Sequence, residues 1–315
     1  MKITFKIIGA LIALSITIYL ASIPYFRSKN VIQENMFYTP TKYDSTKLFN
    51  QLVNEYLTYI PKQEIHQTAH KFIAHKIPDT VTLNQTSVTR QFKEFIPQSR
   101  SEYYIIQPHV IKKTGIFMMG NQFNVFNLLD NLTELAKADS AQIYVIVYNG
   151  DGFSTGQSDF ETQFKVNQSF YTAVNKQDSV RFIAGHSLGT VFATKLAVDN
   201  QIETLALLAP ASNINDVAAY FKTRIPFYMR PYLNFSQIKK SEIAQQGNSA
   251  ENIKNFYGNL LLFHGTKDEI LPYTMSHKIY QNSPSTHKNI FIINGGDHNA
   301  PLIGENWRKI ITLLK

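Results

Sequence analysis

The stretch "VRFIAGHSLGTVFATKLA", residues 180–197, forces two backbone habits into one short segment. Residues 180–184 read as a buried strand and the pattern from Gly189 onward is helical, so the chain must turn sharply over Gly185, His186, Ser187, Leu188 and Gly189. A strand running directly into a helix belongs to a sheet with helices packed on its faces. A serine at such a turn is held in a strained conformation with its hydroxyl above the sheet edge. It needs small neighbours, which Gly185 and Gly189 provide two residues to either side.

The same alternation runs through the chain from residue 103. The apolar runs "YYIIQP", "GIFMM", "QIYVIVY", "VRFIAG", "TLALLAP", "NLLLFHG" and "NIFIIN" are separated by amphipathic stretches. After "GIFMMGN", Val125, Leu128, Leu129, Leu132 and Leu135 recur at helical spacing, and Phe160, Phe164, Tyr171 and Val174 do nearly the same after "QIYVIVY". Near-continuous apolar strands separated by amphipathic helices predict a three-layer α/β fold, its mostly parallel sheet covered on both faces. Residues 211–258 interrupt the alternation with a segment rich in Tyr, Phe and Lys, including "IPFYMRPYLNF", which reads as a lid. The single tryptophan, Trp307 in "ENWRKIITLL", is expected to pack a closing helix onto the sheet.

At 315 residues and 44% hydrophobic content the chain can bury one substantial core. It has no cysteine, which excludes disulfides, thiolate metal sites and a cysteine nucleophile. The formal charge of +8 is scattered rather than gathered into a basic block, which argues for a solvated basic surface and against a nucleic-acid partner. At the amino terminus, Lys2 and Lys6 precede an uncharged run from 7 to 26, followed by Arg27 and Lys29. That length suits a membrane anchor or a signal peptide. Leu20, Ile23 and Pro24 make a poor cleavage site around Ala21 and Ser22, which favours an uncleaved anchor. The distribution of cations places the catalytic body outside the cytoplasm, either tethered or, after cleavage, secreted or periplasmic. The expected organisation is a hydrophobic helix at 1–29, a helical extension at 30–100 carrying no recognisable chemistry, and the α/β domain at 101–315. Within the extension, Leu48, Leu52, Tyr56 and Leu57 suggest one helical face.

A serine hydroxyl is a poor nucleophile at neutral pH, so Ser187 requires a histidine base and a carboxylate to orient it, in the chain order serine, acid, histidine. "NLLLFHGTKDEILPY" presents Asp268 after one strand, and "NIFIINGGDHNAP" presents His298 after the next. Glu269, Asp297 and Asp216 are the alternative acids; Asp297 is handicapped because adjacent side chains on an extended loop point apart. His186 is expected to pack or hydrogen-bond at the turn and His264 to neighbour the acid loop. His66 and His70 have the spacing of a zinc pair, but Gln67 stands where the metalloprotease pattern requires glutamate, so a solvated helix face is favoured over a metal. The backbone NH of Leu188, at the helix amino terminus, would face an oxyanion at Ser187. The second donor is expected in "GIFMMGNQFNVFN", from Asn121 or alternatively Gln122.

With these motifs in hand, residues 100–315 resemble the α/β-hydrolase superfamily, and within it the serine aminopeptidase-like and monoglyceride-lipase-like branch. The carriers are "MMGN", "YNGDGFSTG", "GHSLG", "HGTKDEILP" and "GGDHN", in that order. Met119 stands where the family has histidine, and Asn149 where it has arginine. The resemblance implies an α/β-hydrolase fold with a short lid, no metal and no organic cofactor, and does not name a substrate. The expectation is a serine esterase or lipase acting on a small or lipid-derived acyl substrate through an acyl-enzyme. A peptidase of the same fold and a tethered, non-catalytic binding protein are the alternatives.

Overall fold

A computed structural model of the protein describes residues 2–33, 36, 38–40, 79–83, 85–234, 236–238 and 241–314, with side chains from Ser15 onward. Among these residues one sheet of nine strands organises the chain. The strands are β1 (Asp79–Leu83), β2 (Thr86–Ile96), β3 (Ser99–Pro108), β4 (Lys113–Met118), β5 (Ala141–Ile146), β6 (Val180–His186), β7 (Thr204–Leu208), β8 (Asn259–Gly265) and β9 (Lys288–Ile293). Their order is β1-β2-β3-β5-β4-β6-β7-β8-β9. The first three form an antiparallel flank that joins β5, and every pairing from β5 through β4 to β9 is parallel.

The parallel strands β4 to β8 are buried on both faces because helices cover both, whereas β9 is a partly exposed edge strand. On one face lie α2 (Val125–Asp139) and α7 (Gly304–Leu314). Leu128, Leu132 and Leu135 of α2 pack there with Trp307 and Ile310 of α7 against Phe117 and Val145. Trp307 stands edge-on to Phe117 at 6.4 Å and donates its indole NH to the Asn131 carbonyl at 3.2 Å, so it closes the core as expected. On the other face, α3 (Phe160–Gln177) and α4 (Gly189–Asp199) pack through Phe164, Phe170 and Phe192 against Ile116, Tyr144 and Ile183. Capping defines the starts: Asn124 and Asn127 form a reciprocal capping box on α2, and Asp159 accepts from the Thr162 NH at the head of α3.

Between β7 and β8 the chain leaves the sheet for α5 (Ile214–Arg224) and a series of short helical turns, which together form the expected insertion. It returns to the sheet at β8, and α6 (Thr274–Asn282) then connects β8 to β9.

One expectation needs correction. Among the described residues the sheet begins at Asp79, so residues 79–83, 86–96 and 99–100 of the expected helical extension are strand instead. The patterns "DTVTL" and "TSVTRQFKEFI" alternate, but their inward face carries Thr86 and Arg90 beside Val88, which disguises a buried strand as a polar one. Arg90 is tolerated there because Glu102 on the neighbouring strand lies 3.8 Å away, also fully buried. The helix patterned on Leu48, Leu52, Tyr56 and Leu57 lies outside the described residues, as do His66 and His70.

The amino terminus is described in part. Residues Lys2–Lys29 form a helix, α1, but among the described residues no helix is long and apolar enough to cross a membrane. Ser15, Thr17, Tyr19 and Ser22 place hydroxyls along the described half of α1. Tyr19 donates its hydroxyl to the Tyr228 carbonyl at 2.6 Å, and the Ser22 hydroxyl meets that of Tyr232 at 3.0 Å. Tyr19 and Phe26 also stack edge-on against Tyr232. That half of the helix therefore rests on the insertion.

Candidate active site

The turn after β6 is built as its glycines require. Ser187 takes φ 53°, a left-handed conformation that costs a non-glycine residue roughly 1–3 kcal/mol. Its neighbours leave no room for side chains. A Cβ on Gly185 would lie 2.6 Å from the Gly189 carbonyl oxygen, and one on Gly189 would run into the Met118 carbonyl of the adjacent strand. The Ser187 NH donates to the Leu208 carbonyl at 2.9 Å, and its carbonyl accepts from the NH and hydroxyl of Thr190 at 3.0 and 2.6 Å. The backbone is thus clamped on both sides while the side chain faces a cavity of about 330 Å³, which Leu188 and Asn121 also line.

The loops after β8 and β9 bring Asp268 and His298 together. His298 Nδ1 lies 2.7 Å from Asp268 Oδ2, with the carboxylate wholly buried and the imidazole 10% exposed. An ionised carboxylate only accepts, so Nδ1 carries the proton and Nε2 is left as the basic nitrogen. Asp268 Oδ1 accepts from the NH groups of Ile270 and Leu271, both at 2.8 Å. Burial on its own would raise the Asp268 pKa, but hydrogen bonds from His264, His298 and the Leu271 NH outweigh it and hold the group well below the usual carboxylate range. The other candidate acids are engaged elsewhere. Asp216 binds Lys278 at 2.6 Å, Glu269 lies 3.7 Å from Arg224, and Asp297 accepts from the Asn299 NH at 3.0 Å.

His298 is seated beside the serine turn. Its ring centroid is 5.0 Å from that of His186, the residue before Ser187, and its carbonyl lies 3.3 Å from His186 Nε2. No hydrogen bond joins the Ser187 hydroxyl to His298, a contact that in sites of this kind can be long until substrate binds. His186 itself is fully buried, and burial pushes its pKa down to about 3, so it is a neutral packing group as expected.

His264 does more than neighbour the acid loop. Its Nε2 lies 3.0 Å from Asp268 Oδ2 and 2.8 Å from the Leu271 carbonyl, both pure acceptors, so Nε2 carries the proton and Nδ1 accepts from the Ser276 hydroxyl at 2.7 Å. One carboxylate oxygen therefore receives two imidazole NH groups. The sequence signal was present in "HGTKD", where histidine and aspartate sit four residues apart across a tight loop.

The loop after β4 holds Asn121 and Gln122, the residues expected to supply the second oxyanion donor. The Met119 carbonyl accepts from the buried Tyr148 hydroxyl at 2.7 Å, Phe123 NH closes a turn onto the Gly120 carbonyl at 3.3 Å, and Gln122 takes φ 61°. Asn149, standing where the resembled family has arginine, is fully buried. Its side chain accepts from Ser99 and donates to the Gln157 carbonyl, which ties the loop after β5 to β3.

The cavity walls are mostly apolar, formed by Leu188, Val191, Ile214, Val217, Leu271 and Met36, and among the described residues none that is charged lines them. Among the described residues, no group of three His, Asp or Glu side chains is placed to hold a metal ion.

Comparison with known proteins agrees with this geometry. The prolyl oligopeptidase family matches residues 152–299, the part of the chain that carries the serine, acid and histidine loops. An uncharacterized protein, R595, of Acanthamoeba polyphaga mimivirus is 26% identical over 62% of this chain and 70% of its own length. Lysophosphatidylserine lipase ABHD12 of Bos taurus is 28% identical over 48% of this chain, a match spanning only 41% of the bovine protein. Among solved structures, the Pyrococcus furiosus esterase Pf2001 superposes with a TM-score of 0.59 at 12% identity, over 76% of this chain and 97% of its own.

Proposed function

The fold of this chain is that of the α/β-hydrolases, and from that premise we propose that it is a serine hydrolase cleaving carboxylic esters of apolar acyl groups through an acyl-enzyme on Ser187. The observation that carries this reading is the pairing of His298 Nδ1 with buried Asp268 at 2.7 Å, with the ring set beside the Ser187 turn. In the first step the Ser187 oxygen attacks the acyl carbonyl and its proton passes to His298 Nε2. Asp268 stabilises the imidazolium that forms. The carbonyl oxygen becomes an oxyanion, which the NH groups of Leu188 and Asn121 stabilise. Collapse expels the alcohol, which takes the proton from His298. Water, deprotonated by the same nitrogen, then attacks the acyl-enzyme, and the acid leaves with Ser187 restored.

An apolar acyl chain is favoured because burying hydrocarbon against Val191, Ile214 and Val217 stabilises the complex by roughly 0.8 kcal/mol per methylene. The bovine relative's name, a lipase of lysophosphatidylserine, agrees with such a substrate.

A second reading, a serine peptidase, is favoured by the prolyl oligopeptidase match. It would leave a substrate's charged amino group without a partner among the described residues, none of whose carboxylates lines the cavity. The acids of the insertion are engaged: Asp216 with Lys278, and Glu251 with Lys254 at 2.8 Å.

Fluorophosphonate labelling tests the nucleophile. The wild type is expected to react at Ser187, and Ser187→Ala to lose both labelling and esterase activity. Turnover of p-nitrophenyl acyl esters should exceed that of aminoacyl p-nitroanilides; faster anilide hydrolysis would transfer the assignment to the peptidase reading.

A further inference from the structure

We infer that Met36, Tyr38 and Thr39, between α1 and the sheet, are a working part of the active site, and that Thr39 is a positioning residue which orients the oxyanion loop through Asn121. The inference rests on the serine hydrolase reading and extends it to residues outside the expected catalytic domain. Thr39 and Asn121 grip each other reciprocally: the Thr39 NH donates to Asn121 Oδ1 at 3.2 Å, and Asn121 Nδ2 donates to Thr39 Oγ1 at 3.1 Å. Gln122 Nε2 reaches the same hydroxyl at 3.5 Å. One threonine thus meets both residues whose backbone NH groups are candidates for the second oxyanion donor.

Thr39 can hold the loop because its neighbour is anchored. Tyr38 is 1% exposed, sunk into the core beside Tyr148 and Phe160. Its hydroxyl lies 2.7 Å from the Asn149 carbonyl and 3.1 Å from Gln163 Oε1. Tyr148, edge-on to Tyr38 at 6.3 Å, is the residue that holds the Met119 carbonyl. The oxyanion loop is therefore pinned from beneath by Tyr148 and from outside by Thr39, while Met36 supplies part of the cavity wall.

Such a grip matters chemically because an oxyanion donor acts through direction. A fixed NH stabilises developing charge without reorganising, and a small misplacement forfeits that stabilisation in the transition state while leaving ground-state binding intact. The Asn121 side chain is the handle, and its backbone NH is the tool.

The test uses the full-length chain and p-nitrophenyl ester kinetics on Thr39→Val, Thr39→Ser, Asn121→Ala and the double variant Thr39→Val/Asn121→Ala. Thr39→Val is expected to lower kcat about 10-fold with KM nearly unchanged. Thr39→Ser, which keeps the hydroxyl, should recover most of the loss. Asn121→Ala keeps its backbone NH yet should show a similar defect, and the double variant should lose no more than Asn121→Ala alone. Wild-type kcat in Thr39→Val, or losses that multiply in the double variant, would overturn the positioning role. Should Thr39→Val fail to fold, Asn121→Ala decides from the loop side, where wild-type kcat is again the overturning result. Fluorophosphonate labelling separates the two levels. An unlabelled, inactive wild type removes the acyl-enzyme reading and this role together, whereas a labelled wild type with unaffected variants removes this role alone.

Discussion

The two ends of the active site are held by different physics. At the acid end, Asp268, His264 and Ser276 are buried, and each bond among them is made in a dry environment. At the oxyanion end, Thr39 and Asn121 exchange hydrogen bonds at an exposed surface, across 82 residues of sequence. Buried polar networks are strong when complete and costly when broken, because an orphaned group has no water to turn to. An exposed pair can exchange its partner for solvent, so its loss changes orientation more than stability. The acid end should therefore fail abruptly under substitution, and the oxyanion end gradually.

Three substitutions sharpen that contrast beyond Ser187 and Thr39. Asp268→Asn should have the largest effect, with kcat falling about 10⁴-fold, because an amide can fix the imidazole in the wrong tautomer and cannot stabilise its charged form. Steady-state kinetics with a bulk substrate measure it; a loss under 10-fold, as rough guide, would place the orienting acid elsewhere. His264→Leu should cost less, about 10- to 100-fold in kcat/KM, by removing one of the donors that lower the Asp268 pKa. Its distinguishing sign is a pH–rate profile whose acid limb moves to higher pH, with partial recovery in His264→Gln. An unmoved limb would reduce His264 to packing.

The smallest expected effect lies in stability. His186 is held neutral in the folded chain, with its pKa lowered from 6.5 to about 3, whereas the unfolded chain protonates it near the ordinary value. The unfolded state thus binds the extra proton first. The stability that His186 contributes is intact above pH 6.5 and is lost as the pH falls from 6.5 toward 3. In the steep part of that window the loss is about 1.4 kcal/mol per pH unit. Denaturant unfolding across the window should show a shallower slope in His186→Leu; an equal slope would mean that His186 titrates alike in both states.

How much of this could be read in advance follows the same division. Strands β4 to β8 announce themselves because burial on both faces leaves near-continuous apolar runs, β3 and β9 show through shorter apolar runs, and the serine, acid and histidine loops follow from strand ends. Strands β1 and β2 do not, since Arg90 and Thr86 occupy their inward face and the compensating partner, Glu102, belongs to another strand. His264 was visible in "HGTKD" but its proton arrangement was not, because that depends on the Leu271 carbonyl and Ser276 converging on one ring. The contribution of Met36, Tyr38 and Thr39 has no local pattern at all. Their partners lie at Asn121, Asn149 and Gln163, and only the folded chain brings them together.

The attachment of Tyr38 bears on how this protein can be cut or grafted. A boundary drawn where the sheet begins, at Asp79, would yield a fragment with every strand intact and an empty socket between Tyr148 and Phe160. Such a fragment would keep the architecture of a hydrolase while leaving behind part of its instrument, so the unit of folding and the unit of catalysis do not share an edge.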